Sequence, residues 1–142
     1  VFMSNAYWEH FEHKADIGVR GFGNTMAEAF EQAAVAMTAV VTDISLVQAT
    51  TAISIACSDD VDDALLYDWL NALIYEMATR KMLFSKFEVT IDHGRLDATA
   101  YGEAIDIERH QPCVEIKAPP TPNLLCIRKR SNGSHSASSM YS

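Results

Sequence analysis

The chain of 142 residues has few cysteines, few prolines and no long apolar run. Its three cysteines, Cys57, Cys113 and Cys126, are odd in number, widely spaced and without a CxxC pair, which argues against a disulfide framework or a zinc site. No apolar stretch approaches the ~20 residues needed to cross a bilayer. The opening segment VFMSNAYWEHFEH lacks the apolar centre of a secretion signal, so a cytoplasmic protein is expected. Positive charge is scarce too. There are 11 Lys+Arg against 19 Asp+Glu, giving a formal net charge of -8 and a pI near 4.9. This balance argues against a broad basic nucleic-acid-binding face and suits a metal cation or a basic partner surface. Phosphate-binding and hydrolase signatures are missing: there is no GxxxxGK[ST] loop and no GxSxG elbow, and the GFG near Gly21 is no dinucleotide fingerprint. His10, His13, His93 and His110 are scattered, with no HxH or HxxxH pair to argue a zinc site.

What is present reads as one α+β domain. Tyr7–Glu12 alternates aromatic and polar residues and predicts a strand, as does Ile17–Gly23. In the second strand Ile17, Val19 and Gly21 share one face, and Arg20 and Phe22 the other. Thr25-x-x-Glu28 is a capping box. After it, Met26, Phe30, Ala33, Ala34, Met37, Val40 and Val41 form the apolar stripe of a helix ending near Thr42–Asp43. Thr51–Cys57 predicts a strand with Ile53 and Ile55 on one face. Ser58-Asp59-Asp60 opens a second helix whose core face is Val61, Leu65, Trp69, Leu73 and Met77. The acids Asp59, Asp60, Asp62 and Asp63 complement the helix dipole there. On successive helical positions they diverge, and so make no ion site. Phe84–Asp92 and Arg95–Gly102 predict a hairpin turning at Asp92-His93-Gly94. Gly102 to His110 reads as an irregular connector, and Cys113–Ala118 as a further strand. The expectation is a two-layer sandwich, with two amphipathic helices on a mostly antiparallel mixed sheet.

Few residues suggest chemistry on their own. Asp16, beside Gly18 at a strand junction, is placed to approach a cation, yet one carboxylate cannot satisfy an ion that takes about six or more oxygens. Turn capping or a salt bridge is the simpler role for Asp16, a structural contact for His13, and an exposed terminal charge for Lys117. On these residues alone the chain is an acidic α+β domain without a self-contained active site.

The sequence resembles the archease family, the protein cofactors of RtcB-type tRNA ligases. The resemblance is carried by EHKADIGVRGFG (12–23), MAEAFEQAAVAM, SDDVDDALLYDWLNALIYEM (58–77), FEVTI (87–91), GEAIDIERH (102–110) and VEIKA (114–118), and spans roughly Tyr7–Ala118. It implies a non-enzyme that stimulates guanylylation of the ligase by GTP, and hence multiple turnover in tRNA splicing or RNA repair. GTP is bound by the ligase, and RNA is met only through it. By motif, Asp16 is a metal ligand, for calcium most readily and for magnesium or manganese otherwise. Lys117 and His13 are accessory functional residues. A chaperone-like modulator and a metal-dependent hydrolase are the competing classes.

The resemblance lapses after Ala118. Residues 119–142 form a Pro/Ser-rich tail with a basic cluster at Arg128–Arg130, and at face value they read as disordered. Archeases continue instead with a Thr-Tyr segment, two strands, a Trp and a terminal Asp that is the second metal carboxylate. Loss of one G from GCG GCC ACC TAC ACC yields the observed run Ala118-Pro119-Pro120-Thr121-Pro122, whereas the parent frame reads Ala-Ala-Thr-Tyr-Thr. The tail is therefore expected to be a shifted frame, with the restored frame placing Asp near Met140 and making closing strands of this region.

Overall fold

A computed structural model describes residues 6–13, 16–112, 125–129 and 135–141, with side chains over 6–11 and 19–112. Strands β1 (Tyr7–His13) and β2 (Asp16–Gly23) lead into helix α1 (Met26–Val41). A single 3-10 turn (Ile44–Leu46) precedes β3 (Thr51–Ser58) and α2 (Asp62–Arg80). The hairpin β4 (Met82–Asp92) and β5 (Arg95–Ala104) is followed by a one-turn helix, α3 (Ile107–His110). Strands β6 (Leu125–Lys129) and β7 (His135–Tyr141) close the chain. The predicted strand Cys113–Ala118 lies outside the described residues.

The α+β class holds, and every described strand pairing is antiparallel. The strands divide into two sheets, one in the order β1-β2-β7-β6 and the other β3-β5-β4. α1 packs against β1, β2 and β7 on one side and β4 on the other, so the helical layer serves both sheets. The reason lies in α1 itself. The expected stripe buries Phe30, Ala33, Ala34, Met37 and Val41, and α1 buries the small residues Ala29 and Ala36 besides. The first set joins Leu65, Leu66, Trp69, Leu70, Leu73 and Met77 of α2 and the inner face of β3-β5-β4 in one apolar core. Trp69 meets Phe87 edge-on at 6.1 Å between ring centroids, and its Nε1–H donates to the Phe30 carbonyl at 3.1 Å.

The helix starts follow the sequence with local differences. Thr25 Oγ1 accepts the Glu28 N–H at 3.1 Å, while the Glu28 carboxylate returns to the N–H of Asn24 rather than that of Thr25. α2 begins two residues later than Ser58-Asp59-Asp60 suggests. Asp59 Oδ1 accepts the Val61 N–H at 3.0 Å, and the Asp59 N–H donates to the Gly94 carbonyl, which holds this stretch as a bend. Val61 therefore precedes the helix and is 60% exposed, outside the core face assigned to it. Phe22 is buried at 3% exposure, against the Tyr7 ring at 4.3 Å. At the hairpin turn both His93 and Gly94 have positive φ, 49° and 76°, as a two-residue connection of this hand requires. The connector after Gly102 is less irregular than expected, because Asp106 Oδ1 caps α3 by accepting the N–H groups of Glu108 and Arg109. Residues 125–129 and 135–141, part of the expected tail, form a hairpin that pairs with β2.

The seat of α1 on β2 sets the layout of the molecule. A Cβ on Gly21 would lie 2.3 Å from both the Ala29 carbonyl oxygen and the Ala33 nitrogen. On Gly23 it would meet Glu28 and Ala29, and His10, opposite Val19, donates from Nε2 to the Ala36 carbonyl at 2.8 Å. The contacts step up α1 as β2 is followed backwards, so the helix runs antiparallel to the strand and points towards the end where β2 begins. Gly21→Ala is expected to push α1 off the sheet and to cost about 1–3 kcal/mol or more, as overpacking does. Denaturant titration with an unchanged slope checks it.

Candidate functional site at one end of the molecule

The sheet topology gathers the chain ends of several elements. His13 and Asp16 are the last register pair of the β1–β2 hairpin. β7 runs beside β2 with Gly18 opposite Met140 and Ile17 opposite Tyr141, so the close of β7 falls next to Asp16. β6 begins at the same end, with Leu125 opposite Ser139. The last turn of α1 arrives there as well, for the packing reason given above. The backbone thus brings His13, Asp16 and the stretch around Met140 to one end of one sheet. Lys117 lies outside the described residues, eight positions before Leu125 in the chain.

A polar knot braces this end. Glu103, at the close of β5, receives Arg109 through two nitrogens, Nη2 to Oε1 at 2.5 Å and Nη1 to Oε2 at 2.9 Å. It also accepts the Gln48 N–H at 2.7 Å and lies 3.0 Å from His110 Nε2. His110 is 1% exposed. Its Nδ1 accepts the Asp106 N–H at 2.8 Å, which leaves the proton on Nε2 to face Glu103. The His110 carbonyl accepts the Thr42 hydroxyl at 2.6 Å, and Arg109 also donates to the Leu46 carbonyl at 3.0 Å. Four parts of the chain, namely the end of α1, the turn after it, the end of β5 and α3, are tied in one network around the Glu103 carboxylate. The Arg109 guanidinium, then the backbone N–H of Gln48 and the His110 ring, hold the Glu103 carboxyl down at about 2.

Sequence patterns do not show this knot. Gly102 to His110 reads from the residues as an irregular connector, and its one local signal is Asp106, a helix cap three residues before Arg109. Other expectations meet the structure as follows. Cys57 is half-buried, and burial followed by the nearby Asp68 charge pushes its thiol up, away from the reactive thiolate. Of the four acids expected on the first turn of α2, Asp62 and Asp63 stand there, while Asp59 and Asp60 precede the helix. Among the described residues no three His, Cys, Asp or Glu side chains gather into a metal-binding group. Among them too, no helix is long and apolar enough to cross a membrane.

An α+β molecule of this topology has a solved counterpart. The chain superposes on the solution structure of Methanobacterium thermoautotrophicum protein 1598 with a TM-score of 0.73 and 32% sequence identity, over 94% of this chain and 96% of that one. The sequence profile of the Archease protein family matches residues 8–138, past the composition change at Pro119, and the chain belongs to that family. Among curated relatives, protein archease of Pyrococcus furiosus is 39% identical over 115 residues, covering 78% of this chain and 81% of its own. That of Methanosarcina acetivorans is 37% identical over 131 residues, covering 89% of each.

The knot has a pH signature. Glu103 has a folded-state value near 2, well below its ordinary 4.5, so its stabilisation is complete above about pH 4.5 and is lost as pH falls from there towards 2. Glu103→Gln is expected to lower stability at neutral pH and to flatten its fall over that interval. Thermal unfolding of both proteins across pH 2–6 checks this.

Proposed function

We propose that this chain is an accessory factor that stimulates guanylylation and multiple turnover of an RtcB-type RNA ligase, in tRNA splicing or RNA repair. It acts without a catalytic residue of its own. GTP is held by the ligase, and RNA is met through the ligase alone. The observation that supports this reading is the register of β7 on β2, in a chain of the archease family. It puts the neighbourhood of Met140, where the resemblance calls for a terminal acid, beside the strand that starts with Asp16.

In this reading Asp16 holds a divalent cation, calcium first and magnesium or manganese otherwise, and Lys117 and His13 assist it. The cation would supply positive charge where phosphate charge is rearranged. The donors that the sequence places at this end make only part of a coordination sphere. Opposite Ile17 to Arg20, β7 carries Tyr141, Met140, Ser139 and Ser138, none of them a carboxylate, while calcium or magnesium takes about six or more oxygens. We also propose that residues 119–142 as written are a shifted frame, and that the restored frame supplies the missing acid.

Two measurements test these statements. In a multiple-turnover ligation assay, Asp16→Ala is expected to lose stimulation on the order of 10-fold or more while keeping its thermal midpoint. Normal stimulation by that variant removes the metal assignment. In calorimetry, the chain with the restored tail is expected to take up calcium more tightly than the chain as written. Equal uptake by both, or a gene without a single-base gap near Ala118, removes the shifted frame.

A further inference from the structure

One apolar side chain is held out in water with unusual firmness. Ile107, in the single turn of α3, is 73% exposed, more than any other large apolar residue among those described. One turn of helix has no stability of its own. Here it is fixed by the Asp106 cap, the Asp106 N–H bond to His110, the two-nitrogen Arg109–Glu103 pair and the Thr42 bond to the His110 carbonyl. None of these bonds buries Ile107. Arg109 Nη1 also donates to the Leu46 carbonyl, so the 3-10 turn that carries Leu46, 37% exposed, is braced against α3. The result is an apolar knob on a rigid mount.

Acids surround it. Asp43, Asp106 and Glu108 are exposed on the two turns. Ser45 donates both its hydroxyl and its backbone N–H to Asp43, keeping that carboxyl ionised below its usual range. Arg109 is held by Glu103 and also lies 3.9 Å from Asp106, while Lys81, whose carbonyl accepts the Ile105 N–H, is a further exposed cation on this side, so Asp43 and Glu108 give the rim its excess negative charge. A small apolar centre with a charged rim is the layout of an interface anchor, in which desolvation of the centre supplies affinity and the rim supplies steering.

Thr42, which holds α3, follows the last turn of α1, and α1 runs antiparallel to β2 towards the end where that strand begins. The knob and the hairpin tip therefore lie at the same end of the molecule. We propose that Ile107 and Leu46, rimmed by Asp43, Asp106 and Glu108, dock into an apolar pocket edged with Lys and Arg on the RNA ligase, turning the Asp16 end towards it. This rests on the reading given under Proposed function, and it adds the contact that makes the complex.

Binding of the purified chain to the purified ligase, followed by calorimetry or surface plasmon resonance, tests it. Ile107→Ala is expected to weaken binding at least about tenfold, with the thermal midpoint unchanged because the side chain is exposed. Glu108→Lys is expected to weaken binding and to reduce its salt dependence. With saturating protein, both variants are expected to restore full stimulation, unlike Asp16→Ala. Undiminished binding by Ile107→Ala, with the parent chain binding normally, overturns the docking assignment alone. A parent chain that does not bind the ligase overturns the accessory-factor reading and the docking with it. Self-association of the parent chain that Ile107→Ala abolishes, with ligase binding intact, also overturns the proposal and makes the knob a contact between copies.

Discussion

The close approach of α1 to β2 is the constraint on which the other arrangements depend. Gly21 and Gly23 leave no side chain on the strand, and Ala29 and Ala33 leave little on the helix, so backbones meet where a single extra methyl would collide. Contacts this short have one solution, since ridges of small residues interlock in a single register. That register sets the direction of the helix as well as its depth. It carries the last turn of α1 back to the Asp16 end, from where Thr42 takes hold of α3. Shifting the helix by a turn would separate the hairpin tip from the knot.

The second sheet is attached by different means. Large side chains do the work there: Phe30, Trp69, Leu73, Phe84 and Phe87 fill the space between the helices and β3-β5-β4. Polar groups within this layer are matched rather than left bare. Trp69 donates to a helix carbonyl, Thr38 to the Ala34 carbonyl, and the Glu31 carboxylate accepts the Val89 N–H at the edge of β4. Burial raises the Glu31 carboxyl above its ordinary value even so, against the pull of that bond. Glu31 thereby blocks part of an edge strand that would otherwise be open to another chain. The knot at Glu103 follows the opposite electrostatic rule, because a guanidinium, an imidazole N–H and a backbone N–H converge on one carboxylate and hold it charged.

The proposed role on a partner draws on two features of the protein. Its charge favours cations and basic surfaces, and its braced end combines a hairpin tip carrying Asp16 with a mounted apolar knob. A rigid mount reduces the ordering that association would otherwise demand, which is the physical value of preorganisation.

Much of the fold was legible locally. The Thr25 cap, the α1 stripe, the Trp69 face of α2, and the β4–β5 hairpin with its positive-φ turn all follow from spacing and turn chemistry, which act within a few residues. Local rules misjudged Val61, because the bond from Asp59 to its N–H delays the helix, and they passed over α3, since four residues show no period. Of the candidate end, the chain by itself named Asp16, His13 and Lys117 through a motif, without saying what stands beside them. Tertiary structure alone decided the division into two sheets, the pairing of β7 with β2, and the meeting of Thr42, Glu103, Arg109 and His110. Thr42 and His110, and β2 and β7, are separated by dozens of residues, and no periodicity encodes which strand will lie beside which. Residue patterns determine what each segment becomes; packing of whole faces, glycine against alanine and aromatic against leucine, determines where the segments meet.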